Sequence, residues 1–451
     1  MLCLYGGLLS RLFARRYDVR QTLLWCAALA LFPLPLRAEA PETVIRLTVQ
    51  PMAAPKPALR YLLLPDLREM NPGNPIANYL RCLMDHDLGA DQETFGRAAL
   101  RQADWAARLD KPDWQILLKL KTDGIGLLVP EVQKVRSLAA GLKGRFQAEA
   151  ATRRFDDALR TAKTLFAMSR HMGEHPTLIG GLVGIAIAFM ALEPLEKLLE
   201  QPGCPNLYWA LTNLPRPLIS LDKGMEGERL LFRSEFHDLD DSTPMSTDQL
   251  RKLIAHIDRV RRLEQLTREA PSTRAWLDAR TRDKKRLRAA HSRLVEVGLP
   301  EERLKRFPAD QLILLDERRE YEVRRDEVMK LMNLPTWQAE ELAGRAKPAK
   351  DPALFNFFVS AAKVRRAQGR LEQRIALLRH VEGLRLYAAA HHGWLPAQLA
   401  DVPVPLPDDP FTGKPFAYQV DGATAHLRGS PPPGEQKNAA YNIHYEITIR
   451  K

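Results

Sequence analysis

The sequence predicts a mainly α-helical protein: helical hairpins or a bundle, a short β element near the N-terminus, and a C-terminal helix backed by a three-stranded antiparallel sheet. Three observations predict it. From Ile76 to about Arg345, Leu, Ala, Arg, Glu and Lys dominate, and apolar residues recur three and four apart. Phe416–Val420 and Ala423–Leu427 flank Asp421-Gly422, a two-residue hairpin signal. Tyr441, Ile443, Tyr445, Ile447 and Ile449 alternate with polar residues, as a half-buried strand requires.

Among 451 residues, 45% are hydrophobic and 27% charged, which excludes wholesale disorder, and only 25 are Gly, which excludes collagen-like repeats. The net charge of +12 favours an anionic neighbour: a membrane surface, an acidic polymer or an acidic protein.

At the N-terminal end, Arg11, Arg15, Arg16 and Arg20 precede an uncharged run, Thr22–Leu36. Its unbroken part, Thr22–Phe32, is 11 residues long, which suits a signal h-region and falls short of the ~20 residues of a membrane span. Ala38-Glu39-Ala40 supplies the small residues of a signal-peptidase site, while Pro41 disfavours cleavage there. Residues 1–40 therefore read as a signal peptide or, uncleaved, as an inner-membrane anchor. Export to the periplasm or cell envelope is the expectation. Losing this segment removes five Arg, one Asp and one Glu, leaving about +9, so the basic character is not the leader's.

Residues 41–75 form a β and Pro-rich entry. Thr43–Gln50 is β-branched and strand-like, and Leu59–Leu64 reads as a second short strand. Asn71-Pro72-Gly73-Asn74-Pro75 marks a turn. Residues 76–350 form the helical region. Arg154–Leu159 within a long helix resembles half of a tetratricopeptide unit; no second copy follows at the 34-residue period, so it marks one helical hairpin. Pro176–Leu192 carries no charge, with Gly180, Gly184 and Ala188 at every fourth position, so a central buried helix is expected ahead of a short membrane span. Ser246 and Gln249 form a capping box ahead of an apolar stripe, Leu250, Leu253, Ile254, Ile257, Val260 and Leu263. Residues 351–451 hold the helix-plus-sheet module, in which Leu371–Ala390 reads as an amphipathic helix ended by Gly393.

His171, Glu174 and His175 have the spacing that aims two imidazoles at one zinc ion from a helix face. Gly173 and Pro176 end the helix there, and histidines near a helix C-terminus also suit the macrodipole without metal. Arg282, Lys284, Lys285, Arg286 and Arg288 form the densest basic run, a candidate anion-binding patch. Residues 251–330 hold 22 Lys/Arg against 15 Asp/Glu, and this interleaving is also the pattern of a solvated face. Neither interleaved aromatics nor a nucleic-acid module accompanies it, so nucleic acid is not an expected partner. Glu235–Asp241 is an acidic loop without calcium-loop spacing. His391-His392 and Asp408-Asp409 read as turn residues. Cys82 and Cys204 read as unpaired buried thiols; Cys3 and Cys26 fall in the leader. No nucleophile elbow, Walker loop, zinc-protease helix or dinucleotide fingerprint occurs.

Four blocks, Pro57–Asn74, Pro176–Ala188, Pro202–Leu218 and His380–Tyr418, resemble an exported protein family of planctomycete bacteria, which implies compartment but no chemistry. The last block is also similar to the head of type II secretion pseudopilins: Gly393, Pro396 and Leu399, then Asp409, Pro410, Gly413, Pro415 and Tyr418, match its helix exit and turn. Arg374, Arg379, Glu382 and Arg385 depart from the apolar pseudopilin helix. The likeness implies a reused packing module, with calcium at Asp408 and Asp409 the ligand it brings.

Together these readings give an exported, non-catalytic interaction or scaffold protein of the cell envelope, partnered by an envelope protein or an anionic surface. No cofactor is predicted. The alternatives are a zinc-dependent hydrolase of an envelope polymer using His171, Glu174 and His175, and an accessory of the secretion apparatus.

Overall fold

The structure is a computed structural model that describes residues 42–84, 96–263, 272–345 and 359–450. The leader expectation, with Thr22–Leu36 and Ala38–Ala40, lies outside the described residues, as does the 350/351 boundary. In chain order the elements are β1 (Thr43–Val49), α1 (Pro75–Met84), α2 (Arg97–Ala106), α3 (Leu117–Asp123), α4 (Pro130–Ala151), α5 (Phe155–Gly173), α6 (Leu178–Leu199) and α7 (Tyr208–Thr212). There follow α8 (Asp222–Glu235), α9 (Thr247–Leu263), α10 (Thr273–Thr281), α11 (Lys284–Glu296), α12 (Glu301–Leu304), α13 (Ala309–Met332) and α14 (Thr336–Arg345). The chain closes with α15 (Val359–Ala390), β2 (Ala417–Asp421), β3 (Thr424–Arg428) and β4 (Ile443–Ile449). The mainly α fold class is as the sequence predicts.

The chain divides into two compact units: one from 119–128 and 232–316, the other from the described parts of 37–118, 129–231 and 317–451. In the first, Ser246 and Gln249 cap α9 reciprocally: Ser246 N–H donates to Gln249 Oε1 at 2.7 Å and Gln249 N–H to Ser246 Oγ at 3.3 Å. Leu250, Leu253, Ile254, Ile257 and Val260 are buried, which is the expected stripe. Buried Gln311 ties the preceding loop, donating to the Asp240 and Thr243 carbonyls at 2.8 Å and accepting from Met245 N–H at 2.9 Å.

In the second unit α4, α5 and α6 pack on one another. Pro130 presets the first turn of α4, and Val132, Val135, Leu138, Ala139, Leu142 and Phe146 bury one face. The expected hairpin is α4–α5. Asp156 and Asp157 open α5 and Arg170 closes it, each sign at the end the helix dipole favours. Thr177 caps α6, its Oγ1 accepting from Gly180 N–H at 3.2 Å. A Cβ on Gly184 would lie 2.7 Å from the Ser169 carbonyl oxygen, so the small-residue stripe is what lets α6 lie against α5. Helix α6 is long and apolar enough to cross a membrane by length and composition, and 67% of its apolar window is buried against protein.

The sheet has the order β1-β4-β3-β2. The expected three strands are β2, β3 and β4, antiparallel in sequence order, and β1 adds to them as a parallel neighbour of β4, Thr43 facing Ile443 and Val49 facing Ile449. Gly422, at φ +58°, occupies the first loop position between Asp421 and Thr424, the position where type II′ hairpins need glycine. Leu47, Val49, Ala425, Leu427, Tyr445 and Ile447 are buried on the inner face, toward α6 and α15.

Three expectations are corrected. The two-residue hairpin loop is not Asp421-Gly422 but lies one residue on, because Asp421 pairs with Thr424 and leaves Gly422 and Ala423 between the strands. Leu59–Leu64 forms turns and coil, not a strand: Pro55, Pro57 and Pro65 bracket it and remove backbone donors, and among its leucines only Leu63 is buried. Helix α15 is not amphipathic over its second half, since every residue from Ala376 to Leu386 is buried. Its charges Arg379, Glu382 and Arg385 are internal.

Candidate functional site

His171 and His175 do not converge. The helix ends at Gly173, as the sequence suggested, so the two rings leave the chain on different backbones. His171 Nδ1 lies 3.0 Å from the Tyr79 hydroxyl, and His175 Nδ1 lies 2.9 Å from Thr177 Oγ1. Trp114 binds both residues together in another way: its indole N–H donates to the His171 carbonyl at 3.1 Å and its ring meets the His175 ring edge-on at 4.6 Å. Burial lowers the His171 pKa to about 3, with Arg170 adding to the effect, and lowers that of His175 to about 4. Glu174 caps the helix beyond reach of a shared donor set; among the described residues the only three-donor cluster lies elsewhere.

The basic run spans the α10–α11 junction. Arg282, Lys284, Lys285 and Arg288 are exposed. Arg286 is half-buried and pairs with Asp283 at 3.4 Å, while Asp283 caps α11 by accepting from Lys285 and Arg286 N–H. Three basic residues in a first helical turn oppose the helix dipole, and the Asp283 carboxylate offsets them. The acidic loop is closed by its own hydrogen bonds: Asp240 accepts from Ser242 and Thr243, which hold its carboxyl well below the usual range.

Tertiary structure gathers the buried polar groups along α15. Arg374 forms a bidentate pair with buried Glu196, at 2.6 and 2.7 Å, and the Tyr445 hydroxyl donates to the same carboxylate. Arg385, fully buried, meets Glu382 at 3.0 Å and donates to the carbonyls of Gln50, Cys204 and Pro205. Burial raises the Glu382 pKa against the pull of Arg385, and pushes the Cys204 thiol up to about 12. Neither Cys82 nor Cys204 is in a disulfide, and both are buried, as expected. Arg379 reaches the Tyr208 hydroxyl and the Pro405 carbonyl at 3.4 Å.

Asp409, Gly413 and Tyr418 hold the loop after α15. Asp409 accepts from Phe411 N–H at 3.0 Å, Ser430 N–H at 2.6 Å and Gln373 Nε2 at 3.0 Å, and is 1% exposed. Gly413, at φ +63°, lies so close to Trp337 that a Cβ would come within 2.8 Å of the indole. Tyr418 donates to the Pro396 carbonyl at 2.8 Å. Asp409 is thus a turn anchor, with its oxygens used by backbone and amide donors, and Asp408 does not share them.

The outer face of the sheet carries a constellation that the sequence reading missed. His426 on β3 faces Glu446 on β4, and His444 lies one position diagonal to it. His426 Nδ1 is 3.0 Å from His444 Nε2, and His444 Nδ1 is 3.1 Å from Glu42 Oε2. One oxygen of Glu446 completes a group of three donors within 4.8 Å of one another. Arg46 binds Glu446 at 2.7 Å, and Arg428 approaches Glu42 at 3.6 Å. Burial, with Arg428 adding to it, lowers the His444 pKa, while Glu42 opposes the shift. The only sequence signal was the polar half of each alternating strand; the parallel pairing with β1, about 400 residues away, brings Glu42 and Arg46 in.

Comparison with known proteins finds no matching family, no matching curated protein and no matching solved structure. The fold itself defines a class: a helical protein whose N-terminal strand is stitched into a C-terminal helix-and-sheet module.

Proposed function

We propose that the protein is an exported, non-catalytic interaction protein of the cell envelope, periplasmic or held at the inner membrane by its N-terminal segment. One observation carries the reading most of the way: the ionisable groups buried along α15 are tied to each other and to backbone, not arrayed around a cleft. Arg374, Glu196 and Tyr445 tie α15 to α6 and β4, and Arg385 ties it to the chain after β1 and to the segment before α7. Such a spine holds the sheet rigid, and the sheet's outer face then offers Arg46, Thr48, Gln419, His426 and Arg428 to a partner. The exposed basic residues Arg282, Lys284, Lys285 and Arg288 suit an anionic envelope surface. One apolar depression of about 280 Å³, lined by Ala53, Trp209, Leu386 and Val404, is at the lower margin of small-molecule sites, which span roughly 300–1,000 Å³.

The accessory role in secretion has one supporting observation of its own: Asp409, Gly413 and Tyr418, residues of the motif, shape the loop between α15 and the hairpin. The hydrolase reading draws no support from His171 and His175, whose rings are buried with separate partners.

Fractionation of native cells with N-terminal sequencing tests the proposal. Recovery in the periplasmic or membrane pool is expected, with the chain beginning near Pro41 or retaining a lipid-associated leader. Recovery of a chain intact from Met1 in the cytosol, without lipid association, overturns it.

A further inference from the structure

The outer sheet face carries an assignment independent of the interaction role. We propose that His426 Nδ1, His444 Nε2 and one oxygen of Glu446 bind a single divalent transition-metal ion, best fitted by zinc, with the fourth position open. The argument begins with donor type. Two imidazole nitrogens and one carboxylate suit zinc and its neighbours, whereas calcium and magnesium require oxygen shells.

Geometry agrees with that donor set. A tetrahedral zinc at about 2.0–2.1 Å from each nitrogen sets two imidazole nitrogens roughly 3.3 Å apart. The two nitrogens here are 3.0 Å apart, so their separation has to open by only a few tenths of an ångström, while each ring swings to turn its lone pair from the other nitrogen to the ion. Backbone pairing fixes the register of the donors, because His426 and Glu446 are direct cross-strand partners and His444 is on the same face of β4.

The surroundings prepare the site. His444 is 4% exposed, and its Nδ1–H donates to Glu42, which leaves the Nε2 lone pair aimed at His426. A carboxylate behind a ligating histidine is the arrangement that orients metal-bound imidazoles. Metal binding replaces the His426–His444 hydrogen bond: the single proton of the neutral His426 ring moves through solvent from Nδ1 to Nε2, and the freed Nδ1 lone pair and the His444 Nε2 lone pair both go to the ion. The cations Arg46 and Arg428 flank the site and are each engaged by a carboxylate, Arg46 by Glu446 and Arg428 by Glu42. Arg46 is therefore the ion's direct competitor for Glu446.

Cobalt(II) and zinc titration of the tag-free, metal-stripped full chain tests the assignment. One equivalent of cobalt should give the intense visible bands of a tetrahedral site, and zinc should displace it. His426→Gln, at a partly exposed position where the fold survives, should abolish the bands; His444→Asn should do the same. Glu42→Gln leaves all three ligands and should weaken binding about 10–100-fold. Arg46→Gln should tighten it by freeing Glu446. A double variant, His171→Ala with His175→Ala, should leave the stoichiometry and spectrum unchanged if it folds, and circular dichroism reports that. Absence of tetrahedral bands, bands that persist in His426→Gln, or affinity undiminished in Glu446→Gln each overturns the assignment.

Discussion

Helices α6 and α15 are both long and both deeply buried, yet they look opposite in sequence. Helix α6 carries no charge from Leu178 to Leu192 and meets α5 through glycine. Helix α15 buries Arg379, Glu382 and Arg385 within an unbroken buried stretch. The first is buried by removing side chains, so that backbone meets backbone and dispersion does the work. The second takes charges in and ties them down: Arg385 pairs with Glu382, and Arg379 reaches the Tyr208 hydroxyl and the Pro405 carbonyl. The comparison teaches that hydropathy reports the first kind of burial and is blind to the second. A buried pair costs desolvation that its partners must repay, so α15 gains directional ties to particular partners where α6 gains close packing.

The largest effect expected from breaking this contrast is at Arg385. Arg385→Met leaves Glu382 buried without its partner and should cost about 3–5 kcal/mol, read as a fall in denaturation midpoint at constant slope. Arg385→Met combined with Glu382→Leu should recover most of that loss; if it does not, the hydrogen bonds from Arg385 to the Gln50, Cys204 and Pro205 carbonyls are the larger part of the tie.

Next comes the glycine seam. Gly184→Ala should cost about 1–3 kcal/mol, because its Cβ meets the Ser169 carbonyl at 2.7 Å, whereas the same change at solvent-facing Gly144 should be neutral or slightly stabilising. Equal effects at the two positions would remove close approach as the reason for the stripe.

The effect that is smallest at neutral pH comes last, because it develops only on acidification. His171 and His175 titrate at about 3 and about 4 in the folded chain against about 6.5 unfolded. Between these limits the unfolded chain binds more protons, so stability is full above about pH 6.5 and declines as pH falls toward 4 and then 3. Each imidazole contributes up to roughly 1.4 kcal/mol per pH unit in that window. His171→Gln should flatten the decline in urea unfolding followed from pH 6.5 to 4, while His391→Gln, exposed at the end of α15, should not.

Much of this was legible in the linear chain. Ser246 and Gln249 announced the start of α9, and the alternation through Tyr441–Ile449 announced β4, because a cap and a strand period are local properties. The zinc spacing at His171 and His175 misdirected for a local reason as well. Spacing implies a shared face only while the helix continues, and Gly173 ends it. The three donors on the outer sheet face were invisible, since no motif links His426 to His444 and Glu446 until β3 and β4 pair in one register. Helix α15 was misread because its charges looked solvated, whereas Arg374, Arg379 and Arg385 reach groups distant in sequence, Glu196, Tyr208 and the Gln50 carbonyl.

The amino-acid order by itself determined the helical class, the ends of the capped helices, the presence of a hairpin to within one residue of its loop and the inward half of each strand, because these depend on neighbours a few residues apart. Tertiary structure alone decided that β1 pairs with β4, that Glu196 answers Arg374, and that two histidines and a glutamate meet beside Glu42. Those are encounters between groups up to about 400 residues apart. They depend on which segments the packed core brings together, and no local period carries that information.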